Sequence, residues 1–191
     1  MMKVRVRHLA ERDVPARTRL LVDALVLANL NGDAATRSAE EVTAGQLATI
    51  ATGQHEKMIF TAETEGGRLL GFLWLTSIDW RSRSCEVSIA MLPEARFGMG
   101  ALAFDAMCDF VFDSLNMVVV VNQVLAHNTM MQSSAEVAAR SAVVAEHDCH
   151  TSGEFRTSHY WTETAVQYRS RHAERSRRRA ARAARVAAAV E

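Results

Sequence analysis

Two glycines one residue apart, Gly98-Met99-Gly100, stand between a strand-like run that closes at Pro93 and an apolar run at helical spacing. That layout leaves the first backbone N–H groups of the helix without partners, and the helix dipole adds partial positive charge to them. A helix start of this kind suits an anion, above all a phosphate group. Gly98 would let the backbone approach the anion closely, and Gly100 would open the helix. Phe97, Met99, Ala101 and Leu102 would supply N–H groups whatever their side chains. Arg96 carries a guanidinium fork that fits a phosphate, or it is a solvated turn residue. A lone Gly-x-Gly is weakly specific; its place between strand and helix strengthens it, against the alternative of a tight turn that holds no ligand.

Other residues could move protons. Glu86 lies on the strand read over residues 85–92. A carboxylate there could take a proton from an ammonium, directly or through water, or it could pair with Arg81 or Arg83. Asn128 follows the most strand-like run in the chain, residues 117–125, where its amide would bond a ligand or form a turn. Ser133 and Ser134 lie one turn further on, and Tyr160 on the last strand. The hydroxyls of Ser134 and Tyr160 are candidate acids, with helix filler as the alternative for the serine. His147-Asp148-Cys149-His150 has metal-binding residue types, but a second ligand group at zinc spacing is missing, so a polar loop is expected and no metal. Cys85, Cys108 and Cys149 are odd in number and far apart, which fits neither a disulfide framework nor a zinc site.

These residues need a scaffold. At 191 residues with 49% hydrophobic, the chain suffices for one domain with a core plus an appendage. No apolar run reaches the roughly 18 residues of a membrane span, and the first residues alternate rather than forming a signal-peptide core. A cytoplasmic protein is expected. Periodicity predicts a strand at residues 4–8, a helix from Asp13 to about residue 30, and a second helix over residues 38–52. Strands follow at 57–63 and 69–78, joined by the turn Glu65-Gly66-Gly67-Arg68, then at 85–92. The glycine turn leads into a helix to about residue 115, the strand 117–125, a helix over 129–144, a polar segment 146–158 and a last strand 159–168. The order β-α-α-β-β-β-α-β-α-β predicts an α/β (α+β) domain: a mixed, mostly antiparallel twisted sheet of six to seven strands with four helices. The domain is read as residues 1–168 and a basic tail as 169–191.

The net charge of +0 conceals an asymmetry, because residues 169–191 hold eight arginines and two glutamates. Arg175, Arg178, Arg182 and Arg185 fall at helical spacing as one basic stripe. A frayed or disordered extension is one reading. Contact with tRNA or another polyanion is the other, without base stacking because no aromatic interleaves the arginines.

With Pro93 and Gly98-Met99-Gly100 between the fourth strand and the third helix, this order resembles the GCN5-related N-acetyltransferase (GNAT) superfamily. Within it the chain looks most like the ribosomal-protein N-terminal acetyltransferase branch, over roughly residues 3–168. The resemblance implies an acyl-CoA-dependent N-acyltransferase, with acetyl-CoA as cosubstrate and a small-molecule or peptide amine as acceptor. It places the coenzyme on Met91, Arg96, Phe97, Gly98, Met99, Gly100, Ala101 and Asn128. Backbone N–H groups near residues 89–91 would polarise the thioester carbonyl, Glu86 would be the base, and Ser134 or Tyr160 the acid. Ala95 stands where the family usually has Gln or Arg, and no tyrosine lies in the fourth predicted helix. An aminoacyl-tRNA donor and a non-catalytic binding protein therefore stay open on the same fold. A homodimer is an open assembly state.

Overall fold

A computed structural model describes residues 3–29, 37–53, 57–96, 98–128, 131, 144–151 and 154–188. In chain order the elements are β1 (Val4–His8), α1 (Val14–Leu21), α2 (Ala24–Asn29), α3 (Ala39–Ala51), β2 (Met58–Thr64), β3 (Leu69–Asp79) and β4 (Ser84–Met91). They continue with α4 (Met99–Asp109), β5 (Val119–Leu125), β6 (Val144–Thr151), β7 (Glu154–Thr164) and α5 (Ala165–Ala188). One seven-stranded sheet runs β1-β2-β3-β4-β5-β7-β6. Only β4 and β5 pair in parallel; the other neighbours are antiparallel. The mixed α/β architecture read from the sequence is the one observed.

Helices cover both faces of the sheet because strand side chains alternate between them. Leu73, Leu75, Cys85, Val87, Met91 and Val120 pack with Ala103, Met107 and Val111 of the α4 region and with Tyr168 of α5. Phe72, Trp74 and Ala90 project the other way, onto Val14 and Leu20 of α1 and Val26 of α2. The first turn of α1 is fixed electrostatically. Arg7 donates to both carboxylate oxygens of Asp13 (2.6 and 3.0 Å) and to Glu63 (3.1 Å). Ala10 N–H and Thr61 Oγ1 also donate to Asp13.

Three sequence expectations are corrected. The first long helix breaks at residues 22–23, where Asp23 Oδ1 accepts the N–H groups of Leu25 and Val26 and starts α2 afresh. The segment read as a polar loop over residues 146–158 is instead most of a β-hairpin, β6 against β7. An edge strand needs no apolar face, so its composition resembles a loop. The last strand ends at Thr164 rather than at residue 168. Gln167 N–H donates to Thr164 Oγ1, and Thr164 N–H to Gln167 Oε1, a capping box that opens α5. The helix expected over residues 129–144 lies outside the described residues except for Met131, and Val144 already belongs to β6.

The basic tail continues the helix α5, whose first turns, as far as Arg175, pack on the body. Tyr168 is buried, and its hydroxyl donates to Asp105 O and Asp109 Oδ1, both at 2.9 Å. Arg169 pairs with Asp113, Arg171 with Glu163, Arg175 with Asp105 and Arg178 with Glu174. Two arginines of the expected phosphate-binding stripe are thus already neutralised. The side chains of Arg182 and Arg185 lie outside the described ones.

Candidate functional site

The sheet forks between β4 and β5. Parallel pairing covers Ser84↔Val119, Cys85↔Val120 and Glu86↔Val121, and there it stops. β4 runs on to Met91 against β3, and β5 runs on to Leu125 against β7. Each strand therefore keeps one neighbour and loses the other.

The ladder alternation identifies the groups that face the gap. Leu92 N–H donates to Leu70 O (2.9 Å), in register with the pair Gly71↔Met91. In an antiparallel ladder every second residue bonds the same neighbour. Ser88 and Ala90 therefore turn their backbone groups to β3, and Ile89 and Met91 turn theirs into the fork. Ala126 N–H likewise donates to Thr157 O (2.9 Å), which leaves the backbone of Gln123 and Leu125 facing the fork. Leu125 O is taken up by Asn128 N–H. Met91 O is likewise taken up by Arg96. The other strand-edge groups facing the fork have no partner among the described residues, and an extended ligand would meet them as an added β-strand would.

The glycine turn lies past the β4 end of this gap. Gly98 has φ +83°, left-handed, and is the N-cap residue of α4 without a side-chain cap bond. The helix starts at Met99, one residue earlier than expected. A Cβ on Gly98 would meet nothing within 4 Å, so the backbone angle rather than crowding selects glycine here. A Cβ on Gly100 would lie 3.5 Å from Met91 Cγ, an ordinary contact. Met99 is buried and Ala101 exposed, and both contribute N–H groups of the first turn. Phe97 lies outside the described residues.

Arg96 is not a solvated turn residue. Its Nε donates to Met91 O (3.3 Å), and its Nη2 pairs with Asp23 (3.2 Å). Asp23 opens α2, and at the far end of α2 His127 Nε2 lies 2.8 Å from Ala28 O. The short helix α2 is thus tied to the end of both walls of the fork. Neither tie was legible in the sequence, since each joins residues far apart in the chain.

Glu86 sits where the strands part. It projects to the α1–α3 face, because it lies opposite Thr76 two residues from the Trp74↔Ser88 pair. Its Oε2 accepts from Thr76 Oγ1 (3.4 Å) and Ser77 Oγ (3.3 Å). Ser77 reaches it because the strand is irregular there, with φ +50°. The expected partner Arg83 binds Asn116 O instead (2.7 Å). Register puts Val121 beside Glu86 and Thr162 beside Val121, and in the next row Gln123 beside Tyr160. Tyr160 therefore shares the face of Glu86, and Gln123 Nε2 donates to its hydroxyl and to Ser158 Oγ (3.2 Å). Sequence reasoning did not single out Gln123, the hydrogen-bond partner of Tyr160.

Asn128 ends the β5 wall. Its N–H closes a turn onto Leu125 O, and its Oδ1 is buried without a hydrogen-bond partner among the described residues. Asn122 Nδ2 on β5 is in the same condition. Buried orphaned amides beside an open strand edge fit a ligand that supplies their partners. Ser134 lies outside the described residues, as does Ser133. Cys149 and the flanking histidines stand on β6 rather than in a loop. Among the described residues, no helix is long and apolar enough to cross a membrane.

The family model described as the acetyltransferase (GNAT) domain matches residues 3–138. No curated protein matches the chain significantly. Among solved structures, the chain is similar to spermidine N-acetyltransferase from Vibrio cholerae in complex with CoA and spermine. That match has a TM-score of 0.74 and 18% identity, covering 87% of this chain and 98% of that one. Glutamate-to-glutamine mutant forms of the spermidine/spermine N-acetyltransferase from the same organism match with a TM-score of 0.73 and 17% identity, covering 89% and 98%. A manganese complex of that enzyme matches with a TM-score of 0.68 and 17% identity, covering 88% and 96%. These likenesses support the fold. They bring no support to the narrower ribosomal-protein branch or to a tRNA donor.

Proposed function

The chain belongs to the acetyltransferase (GNAT) domain family, and from that premise we propose that it transfers acetyl from acetyl-CoA to the primary amine of a small molecule. The observation that carries this reading is the fork: two strand edges part at Glu86, with an uncapped helix start just beyond one of them. The residues present fit the coenzyme. Amides of Gly98, Met99, Gly100 and Ala101 would hold its pyrophosphate. Edge groups of Ile89, Met91 and Gln123, with Asn128, would hold the amide-bearing arm. A structure bound to CoA is among the matches, which supports a coenzyme of this class.

When bound, the coenzyme supplies an acyl thioester. Of these edge groups the N–H of Ile89, nearer Glu86, would polarise the thioester carbonyl as an oxyanion donor, and that of Met91 would stay with the arm. Glu86 would accept the proton that an ammonium must lose before it attacks, held in place by Thr76 and Ser77. Tyr160, oriented by Gln123, would return a proton on the leaving side. Residues 1–168 would be the catalytic domain on this reading, although α5 packs on it as an integral element.

A steady-state assay of thiol release with acetyl-CoA and a panel of amines tests the proposal. Glu86→Gln lowers kcat/KM by about 10²–10⁴-fold while acetyl-CoA affinity stays unchanged. Full activity in Glu86→Gln would remove the base from the account, and no turnover with any amine would remove the activity.

A further inference from the structure

A cationic side chain stands unpaired on the acceptor side of the sheet. Arg17 of α1 is only 3% exposed, yet it makes no ion pair or hydrogen bond among the described residues, and its Nε is buried without a partner. Its guanidinium carbon lies 5.2 Å from the centre of the Trp74 ring. A buried guanidinium normally has a carboxylate beside it. The aromatic face offsets part of the cost of burial but satisfies none of the N–H donors.

Register fixes where this group stands. Trp74 lies opposite Ser88, and Thr76 lies opposite Glu86, on one face of the sheet. The Trp74–Ser88 row is therefore two residues from Glu86, about 7 Å along the strand. Lys57 immediately precedes β2, where Ile59 pairs with Trp74. Desolvation pushes the Lys57 ammonium down, and the charges of Arg17 and Arg37 lower it further. Burial alone lowers Arg17 to about 10, which leaves it charged at neutral pH. Two arginine charges thus act on Lys57, and no described carboxylate is in a salt bridge to any of the three cations.

We infer that the acceptor is an amine that also carries an anionic group, a carboxylate or a phosphate, which Arg17 holds above Trp74 while the amine reaches Glu86. This rests on the acetyl-transfer reading above and narrows its substrate class. A polyamine, the ligand of the structural neighbour bound to spermine, would bring positive charge against Arg17 and Lys57. The spacing favours amine and anion separated by a short chain rather than sharing one carbon.

Wild-type full-length protein is assayed with acetyl-CoA and four acceptors: 4-aminobutyrate, 2-aminoethyl phosphate, 1,4-diaminobutane and butylamine. One of the two anionic acceptors shows kcat/KM about 10–100-fold above the diamine, the worth of a charge-assisted hydrogen bond. Which of them leads separates carboxylate from phosphate. In Arg17→Gln that preference falls to within about threefold of butylamine through KM, with kcat and acetyl-CoA affinity unchanged; Arg17→Lys keeps part of it. Lys57→Gln, at the exposed edge, weakens the preference in the same direction and decides the matter should Arg17→Gln not fold. A diamine preferred by the wild type, or an equal loss for all four acceptors in Arg17→Gln, overturns the inference. Calorimetry with acetyl-CoA on the same preparation separates the two claims. Absent coenzyme binding defeats the acetyl-transfer reading, and Trp74 fluorescence titrated with 4-aminobutyrate and with 2-aminoethyl phosphate then still tests the anion site. Quenching by either supports the site, and quenching by neither overturns it.

Discussion

Substituting the two glycines of the α4 turn one at a time separates a ligand-binding turn from a merely tight one. Gly98 holds φ +83° with no atom within 4 Å of an added Cβ. The cost of Gly98→Ala is then purely that of the left-handed angle, about 1–2 kcal/mol. For a chain of this size that lowers Tm by roughly 2–8 °C. The strain is relieved by rotating the peptide out of the left-handed region, which turns the first α4 amides away from a shared target. Losing one charge-assisted hydrogen bond of about 1.5–3 kcal/mol weakens acetyl-CoA binding by roughly 10–150-fold. Gly100 is the control. Its added Cβ meets only Met91 Cγ at an ordinary 3.5 Å. Gly100→Ala therefore stabilises the free protein by about 0.4–1 kcal/mol and leaves acetyl-CoA affinity within about threefold. Differential scanning calorimetry and isothermal titration on both variants give the four numbers. A Gly98→Ala protein that loses stability but binds acetyl-CoA like the wild type would refute the reasoning, because the turn would then be serving the fold alone.

Three further outcomes follow from the packing. Tyr168→Phe removes the hydroxyl that bonds Asp105 O and Asp109; it costs about 1–3 kcal/mol, and an arginine-specific protease then cuts α5 faster than in the wild type. Burial works to raise the Asp13 pKa, but the bonds from Arg7, Ala10 N–H and Thr61 outweigh it and hold the carboxyl below its ordinary value. Its stabilisation is therefore fully present above the unfolded pKa of about 3.9 and is lost as pH falls through the lower folded value; in Asp13→Asn, denaturant titrations between neutral pH and pH 3 show a shallower acid loss. Burial, with the Glu86 charge adding to it, pushes the Cys85 thiol up to about 12, and burial likewise raises Cys108; both stay unreactive to a thiol reagent at pH 8 until the protein is unfolded.

Local chemistry was readable where one residue determines one backbone event. Gly98 and Gly100 marked the turn between strand and helix, though not the positive φ that Gly98 adopts, and Pro93 marked the end of β4. The fork was not readable, because the last shared pair is set by the register between two strands distant in the chain; the polar residues Glu86, Asn122 and Gln123 at that point do not by themselves show that the strands part. The hairpin of β6 and β7 escaped because polar edge strands and loops share a composition. The start of α5 was written in the sequence as Thr164-Ala165-Val166-Gln167, but strand alternation fits the same residues, and only the capping bonds decide between them. The tie of Arg96 to Asp23 and the burial of Arg17 on Trp74 are contacts across long stretches of chain, set by how α1 and α2 pack on the sheet. Glu86 was singled out on the correct strand; its Thr76 and Ser77 partners depend on the irregularity at Ser77.

The central claim is that the gap between β4 and β5 and the turn at Gly98 together form one acetyl-CoA site. Backbone amide NMR during titration with acetyl-CoA tests it most directly. The account predicts saturating shifts at Ile89, Met91, Gly98, Met99, Gly100 and Gln123 with one common affinity, while the β1–β2 amides stay still. Binding that moves the α5 amides and leaves those of Met91 and Gly98 unmoved would contradict it.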